Sequence, residues 1–191
     1  MRIVGGEWRG RPLEAPEGRG TRPTTDRMRE TIASMVLSAF DLDLDGVSVL
    51  DAFAGSGAMG LEFLSRGARR CTFVDSDRKA AGVVRRNVAA LGAQRSCSVV
   101  TGDAFQLAGR AGSIPGAPFD LVVLDPPYAT PARDVAALVD SLAEAGALRA
   151  GAVVLYERAS SSPALEAAHA TLVRERTHGT TTVDLYRTER A

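Results

Sequence analysis

The 191-residue sequence predicts one α/β domain built on a mostly parallel sheet, and three observations lead to this prediction. Short apolar segments alternate with segments whose apolar residues recur at helical spacing, which is typical of strands joined by crossover helices. A glycine-rich turn at residues 55–60 separates one such strand from the helix that follows it. The last two apolar segments flank His178-Gly179 and so predict a hairpin, which would place antiparallel strands at one edge of the sheet.

The secondary-structure elements can be assigned in order along the chain. Thr25 and Asp26 favour the start of a first helix, in which apolar residues from Met28 to Phe40 recur at helical spacing. Seven strands are predicted, at Val47–Ala52, Arg70–Val74, Cys97–Thr101, Phe119–Leu124, Ala152–Tyr156, Thr171–Arg176 and Thr181–Arg187. Further helices are predicted at Ala58–Arg66, Arg78–Leu91 and Ala132–Ala145, and a loop at residues 109–118.

Residues 1–24 differ in composition from the rest and are expected to form an extension of a domain at residues 25–191. Glycine and proline recur there, which favours turns and extended segments. The chain carries 23 basic and 23 acidic residues in all, yet residues 1–29 hold seven arginines against four carboxylates. A basic edge on an otherwise neutral domain is typical of surfaces that meet phosphates. The candidate phosphate contacts are Arg9, Arg11, Arg22 and Arg27, with ordinary solvated charges as the alternative.

The composition excludes several classes of protein. The longest apolar runs, residues 135–139 and 152–156, are far too short to span a bilayer, and no signal peptide is visible. The two cysteines, Cys71 and Cys97, lack metal-ligand spacing and are expected in or beside strands. We therefore expect a cytoplasmic monomer that has no bound metal and no membrane partner.

The turn after the first predicted strand is a candidate cofactor loop. Gly55, Gly57 and Gly60 match the G-x-G-x-x-G template, whose backbone amides approach a pyrophosphate in dinucleotide enzymes. Asp51, just before this turn, favours a cationic ligand over a diphosphate. The turn resembles the S-adenosylmethionine loop of Rossmann-like methyltransferases, and that cofactor carries an ammonium group and a sulfonium. The candidate cofactor-binding residues here are Asp51, Phe53, Ala54, Gly55, Ser56 and Gly57.

Acidic residues also follow the next two predicted strands. Asp75 stands about 20 residues after the glycine turn, where a carboxylate can accept hydrogen bonds from both ribose hydroxyls. Asp77 is the weaker candidate for this role. By resemblance, Asp103 would receive the adenine amine, with Ala104 or Phe105 beside the ring. The alternative is that strand-end acids cap the next helix or face solvent, but three at successive strand ends favour a cofactor site.

The candidate catalytic residues are Asp125, Pro126, Pro127 and Tyr128, directly after an apolar strand. Two prolines could simply end that strand, because proline has no N–H for the ladder. The chemistry of an aromatic amine favours a functional interpretation, since its lone pair is delocalised and must be localised for attack. The Asp125 carboxylate and the Pro126 carbonyl can each accept an amine hydrogen bond, and Tyr128 offers a face for stacking.

These motifs together resemble the RsmD family of ribosomal RNA methyltransferases. The resemblance rests on residues 2–11, on Arg22–Glu30, on Leu50–Ala68 and on Asp125–Tyr128, and so extends over nearly the whole chain. It implies a Rossmann-like class I S-adenosylmethionine-dependent methyltransferase fold with a small N-terminal β-hairpin extension. It also implies methylation of guanine N2 in 16S ribosomal RNA, with S-adenosylhomocysteine as product and the small subunit or its assembly intermediate as partner.

Other functions remain open on the residues alone. An adenine-N6 methyltransferase acting on RNA or DNA would use the same four catalytic residues. A protein glutamine methyltransferase is disfavoured by Asp rather than Asn at position 125. A catalytically silent RNA-binding module is disfavoured because the candidate catalytic residues are all present.

Overall fold

The computed structural model describes residues 1–16, 25–110 and 112–189. The strands are β1 (Ser48–Asp51), β2 (Arg70–Asp75), β3 (Cys97–Thr101), β4 (Phe119–Leu124), β5 (Leu148–Ala159), β6 (Ala170–His178) and β7 (Thr181–Thr188). The helices are α1 (Asp26–Ala39), α2 (Ala58–Ser65), α3 (Arg78–Leu91), α4 (Ala104–Ala108) and α5 (Ala132–Glu144), with a 3-10 turn at Gln94–Ser96.

The strands form one seven-stranded sheet in the order β3-β2-β1-β4-β5-β7-β6. The first five strands run parallel, whereas β7 is antiparallel to both β5 and β6. Each parallel strand is followed by a helix or turn that returns the chain across the sheet, as the alternation of apolar segments predicts. The predicted mostly parallel sheet with an antiparallel carboxyl-terminal hairpin is therefore confirmed.

Two hydrophobic cores cover the two faces of the sheet. Strand β4 supplies both, because its side chains alternate: Leu121 and Val123 pack on one face, and Val122 and Leu124 on the other. The first face packs against α1, α2 and α3, and the second against α4 and α5. Because both faces of the sheet are covered, the residues of β4 are almost all apolar and do not alternate with polar ones.

Within residues 1–16, the described part of the amino-terminal extension, the chain folds back on itself as a hairpin, as the family resemblance implies. Arg2 and Pro12 make an antiparallel bridge, and the Ile3 amide donates to the Arg11 carbonyl at 2.9 Å. Ile3 is fully buried and belongs to the core over α2 and α3. The buried Glu62 carboxylate accepts hydrogen bonds from the amides of Val4 and Gly5, so the hairpin is attached to α2 by polar contacts as well.

Most predicted boundaries agree with the structure to within two residues, and β5 is the main exception. It extends over Leu148–Ala159, because Leu148 pairs with Phe119 of β4 and the last three residues, Glu157 to Ala159, pair with β7. The short α4 was not predicted, since five residues are too few for a helical period to be recognised. His169 lies in the turn before β6.

Two further findings concern the described part of the chain. None of its helices has the length and apolar character needed to cross a membrane. In these same residues, no cluster of three or more His, Cys, Asp or Glu side chains is arranged to hold a metal ion.

Candidate active site

A cavity of about 360 Å³ opens at the carboxyl ends of the central strands. It lies where the strand order reverses, because β1 and β4 are neighbours in the sheet although β2 and β3 come between them in the chain. Open α/β sheets bind ligands at such switch points, where the loops diverge and leave a crevice. Residues predicted for the cofactor and residues predicted for catalysis line this one cavity.

The glycine loop between β1 and α2 forms part of the cavity wall. Gly55 lines the cavity at φ 54°, and no atom lies within 4 Å of the place where a Cβ would stand. Gly57, at φ 77°, makes the left-handed turn that begins α2. A Cβ on Gly60 would lie 2.4 Å from Cε1 of Phe73, so α2 can pack closely on β2 only with glycine here. The loop thus leaves backbone exposed to a ligand beside a tightly packed helix.

Asp75 lines the cavity at the end of β2 and holds the glycine loop in place. Its Oδ2 accepts a hydrogen bond from the Gly55 amide at 2.7 Å, and its Oδ1 accepts one from the Asp77 amide at 2.8 Å. A carboxylate oxygen has two lone pairs, so both oxygens keep the capacity to accept a further donor. Asp77 does not line the cavity; it caps α3 by accepting from the Lys79 amide at 2.8 Å.

The end of β3 brings an acid and an aromatic ring to the same cavity. Asp103 caps α4 by accepting from the Phe105 amide at 2.8 Å, and it also lines the cavity together with Ala104. The rings of Phe53 and Phe105 lie 5.7 Å apart at an angle of 58°, and both face the cavity. Asp103 therefore both caps α4 and lines the cavity. The paired rings of Phe53 and Phe105 form an apolar wall beside its carboxylate.

Four predicted cofactor residues, Asp51, Ala54, Ser56 and Gly57, do not line the cavity. Asp51 is only 3% exposed, and its Oδ2 accepts from the Gly60 amide at 3.1 Å, so it supports the loop from within the protein. Burial raises the pKa of Asp51 to about 7, and the charges of Asp125 and Asp75 add to that shift. A direct contact of these four residues with a cofactor stays a prediction.

The four candidate catalytic residues follow β4 and all line the cavity. Pro126 is buried, whereas Tyr128 is 57% exposed and presents its ring to the surface and to the cavity. Asp125 is accessible, yet the protein packed around its carboxyl raises its pKa. Because the residue remains accessible, we attribute this shift to partial desolvation rather than to complete exclusion of water.

Glu157 is a cavity residue that sequence reasoning missed. Leu124 of β4 pairs with Tyr156 of β5, so Glu157 stands beside Asp125 at the next position of the two parallel strands. Burial raises the pKa of Glu157, and the neighbouring Asp125 charge raises it further. The pattern that indicated Asp51, Asp75 and Asp125, an acid directly after an apolar strand, also applies to Glu157 and could have revealed it.

Three of the candidate phosphate contacts, Arg9, Arg11 and Arg27, do not line this cavity. Arg9 is exposed on the amino-terminal hairpin, and Arg11 on the same hairpin donates from Nη2 to the Ala90 carbonyl of α3 at 2.8 Å. Arg27 is exposed on the first turn of α1. Arg22 lies outside the described residues. A contact of these arginines with RNA stays a prediction.

Comparison with known proteins extends the resemblance. The family model described as "Conserved hypothetical protein 95" matches residues 1–187. "Ribosomal RNA small subunit methyltransferase D" of Haemophilus influenzae is 31% identical over 187 residues, covering 97% of this chain and 93% of that protein. The Escherichia coli protein of that name is 40% identical over 128 residues, covering 67% of this chain and 60% of that protein. The match thus spans about three-fifths of the Escherichia coli relative.

A solved structure agrees with these sequence matches. The structure described as a putative methyltransferase yhhF from Escherichia coli superposes with a TM-score of 0.82 at 34% identity, and the match covers 100% of this chain and 99% of that one. The shared fold places the glycine loop and the residues after β4 around one switch-point cavity. The chain therefore belongs to the family described as "Conserved hypothetical protein 95", the RsmD family, and has the class I methyltransferase fold.

Proposed function

We propose that this protein uses S-adenosylmethionine to methylate the exocyclic N2 amine of a guanine in 16S ribosomal RNA. The names of its relatives support ribosomal RNA of the small subunit as substrate. The observation that carries the proposal is the convergence of two sets of residues on one cavity. One set has the loop and acids suited to the cofactor, and the other has the acceptors suited to an aromatic amine.

The residues of the cavity fit the cofactor. Gly55 leaves backbone open to a ligand, and Asp75 retains acceptor capacity for ribose hydroxyls. Asp103 stands beside the Phe53 and Phe105 rings, which suits a planar base carrying an amine. When bound, S-adenosylmethionine supplies an electrophilic methyl group and leaves as S-adenosylhomocysteine. The carboxylates around the cavity complement its positive charge.

The residues after β4 would prepare the amine for attack. The Asp125 carboxylate and the Pro126 carbonyl each accept one hydrogen bond from the amine, which localises the lone pair on the nitrogen for attack on the methyl group. The methylated amine then releases one N–H proton to water. Pro126 is buried, and the ring of Pro127 restrains the backbone of Pro126, the residue before it. The Pro126 carbonyl is therefore held in one orientation. Tyr128 stacks on the base. Catalysis then depends on positioning and electrostatics, with the ionised Asp125 stabilising charge that develops on the amine.

The substrate must present an unpaired base. Guanine N2 in a helix cannot reach the floor of this cavity, so the target is flipped out or already lies in a loop. We propose that residues 1–24 and Arg27 contact the surrounding RNA as an edge of the domain at residues 25–191, with Arg9, Arg11 and Arg22 as phosphate contacts. Within this proposal the protein acts in the cytoplasm as a monomer and needs no metal.

An adenine-N6 methyltransferase is the second candidate, because Asp125–Tyr128 would activate that amine equally well. Nucleoside mass spectrometry distinguishes the two. Small subunits that lack the modification are incubated with the protein and S-adenosylmethionine carrying a deuterated methyl group, and the RNA is then digested. Deuterated N2-methylguanosine, absent when the Asp125→Ala variant is used, is the expected product. Deuterated N6-methyladenosine would select the second candidate, and the absence of label in RNA would overturn both.

A further inference from the structure

A second groove, of about 540 Å³, lies between α1 and the edge strand β6 and shares no residue with the candidate active site. We call it the α1–β6 groove. Helix α1 contributes Arg27 and Glu30, and β6 contributes Arg174, Arg176 and His178. Three hydroxyl side chains, those of Thr31, Ser34 and Ser38, also line it. The groove is thus polar and mainly basic.

The alternation of β6 sorts its charges between the two faces of the sheet. Arg174 and Arg176 pair with Leu185 and Val183 of β7, whose side chains belong to the core beneath α1. Glu175, between them, points to the opposite face and forms an ion pair with Arg158 at 2.7 Å. The strand therefore directs its cations to the groove and its one acid away from it.

The cations of the groove are not neutralised by the protein around them. Within residues 1–16, 25–110 and 112–189, no carboxylate lies within ion-pair distance of Arg27, Arg174 or Arg176. Glu30 is the one acid among the described lining residues. Three arginines against one carboxylate, in a protein of zero formal net charge, concentrate positive potential on this surface.

The groove extends towards the carboxyl ends of the parallel strands, where the active site opens. Strand β6 is antiparallel to β7, which is antiparallel to β5, so β6 runs in the same direction as β4 and β5. His178 at the end of β6 therefore lies towards the edge that carries Asp125 and Glu157. Helix α1 runs the opposite way, because its last residue, Ala39, accepts a hydrogen bond from Arg187, which pairs with Val153, well before the end of β5 at Ala159. Arg27 consequently also lies towards the catalytic edge.

We propose that the α1–β6 groove binds the ribose–phosphate backbone of the RNA strand next to the methylated nucleotide. Alternate residues on a strand stand about 6.6 Å apart, so Arg174, Arg176 and His178 form a row of donors along one line. No Phe, Tyr or Trp is among the lining residues that the structure describes, so this part of the groove lacks the large aromatic rings on which single-stranded nucleic acids usually stack. Guanidinium and hydroxyl donors fit phosphates and 2′-hydroxyls, which position RNA without reading its sequence. This inference rests on RNA being the substrate, as proposed above.

The test compares two double variants with the same change in net charge. R174E/R176E reverses two charges in the groove. R69E/R95E reverses two exposed charges far from the groove. These two residues lie just before the amino-terminal ends of β2 and β3. The dissociation constant for protein-free 16S ribosomal RNA is measured by filter binding over a series of salt concentrations. Cofactor affinity is measured by calorimetry, and thermal unfolding checks that each variant is folded.

The groove variant should bind RNA at least tenfold more weakly, with a salt slope lower by about 1.4 because two phosphate contacts at about 0.7 each are lost. Cofactor affinity should not change, and R69E/R95E should bind RNA within about twofold of the parent. Equal weakening in both double variants, or none in R174E/R176E, would overturn the proposal. If R174E/R176E unfolds, the neutral variant R174Q/R176Q replaces it, with the same expected loss of slope.

The outcome is separable from that of the proposed function. Binding is measured without methyl transfer, so the identity of the methylated base does not affect it. Unchanged RNA binding by R174E/R176E, while the parent protein still labels RNA, overturns the groove alone. Weakening that occurs only with assembled subunits and not with protein-free RNA would indicate a ribosomal protein as the partner, and would also overturn the groove as an RNA site.

Discussion

Asp125 and Glu157 lie side by side at the carboxyl ends of β4 and β5, one position beyond the paired residues Leu124 and Tyr156. Both carboxyls line the candidate active site, and burial raises the pKa of each. Two neighbouring carboxyls titrate as a pair, since ionising one makes ionisation of the other less favourable. The acidic character of this site therefore depends on two residues that are far apart in the chain.

The coupling of this pair can be measured directly. Replacing Asp125 by Asn removes a neighbouring negative charge, so the pKa of Glu157 should fall towards the ordinary value for glutamate. Carboxyl carbon NMR titration of Glu157 in the parent and variant proteins measures this shift. Asp120→Asn, at the other end of β4, serves as the control and should leave Glu157 unchanged. An identical titration in the Asp125→Asn protein would disprove the coupling.

Asp125 should be required for methyl transfer but not for cofactor binding. Its replacement by Ala removes an acceptor for the reacting amine, and we expect kcat to fall at least about 100-fold. Calorimetry should show cofactor affinity within about threefold of the parent. Tyr128→Phe retains the stacking face and should keep most of the activity. If Asp125→Ala turns over at a comparable rate, Asp125 does not activate the amine.

Asp75 should be required for cofactor affinity. Asp75→Ala removes the acceptor of the Gly55 amide and the proposed partner of the ribose, so binding should weaken by about 1–3 kcal/mol, or roughly fivefold to 150-fold. Asp77→Ala is the matched control, because it removes only the cap of α3 and the residue does not line the cavity. Calorimetric affinities that are the same for both variants would contradict the ribose assignment.

Asp51 should make the ligand-free protein less stable as the pH rises. Its pKa is raised to about 7 in the folded protein, above the unfolded value of 3.8, so its stabilising contribution is complete below pH 4 and is lost as the pH rises through 7. Asp51→Asn keeps an acceptor for Gly60 but does not ionise. Relative to the parent, it should gain stability on the order of 4 kcal/mol between pH 4 and pH 8.

Urea unfolding at the two pH values measures this difference. The exposed Asp45→Asn variant should follow the parent at both. A free-energy difference between parent and Asp51→Asn that does not change with pH would show that Asp51 is not held with a raised pKa.

Local patterns in the sequence account for much of the fold and for many of the residues that line the candidate active site. The glycine loop, the strand-end acids and the residues after β4 were all recognisable, because each depends on neighbouring residues. Glycine permits a positive φ, proline ends a ladder, and an acid after an apolar strand lies at the sheet edge. Asp75 and Asp103, which the same reasoning selected as candidate cofactor residues, both line the cavity.

Local patterns along the chain were thus sufficient to predict the class of fold, the glycine loop and the candidate catalytic residues. Which side chains come into contact depends instead on how distant segments pack. Helix α2 covers Asp51. The register of β4 and β5 places Glu157 beside Asp125, and the order of the strands places β6 beside α1. Register and strand order arise from packing between distant segments, so the periodicity of any one segment does not contain them.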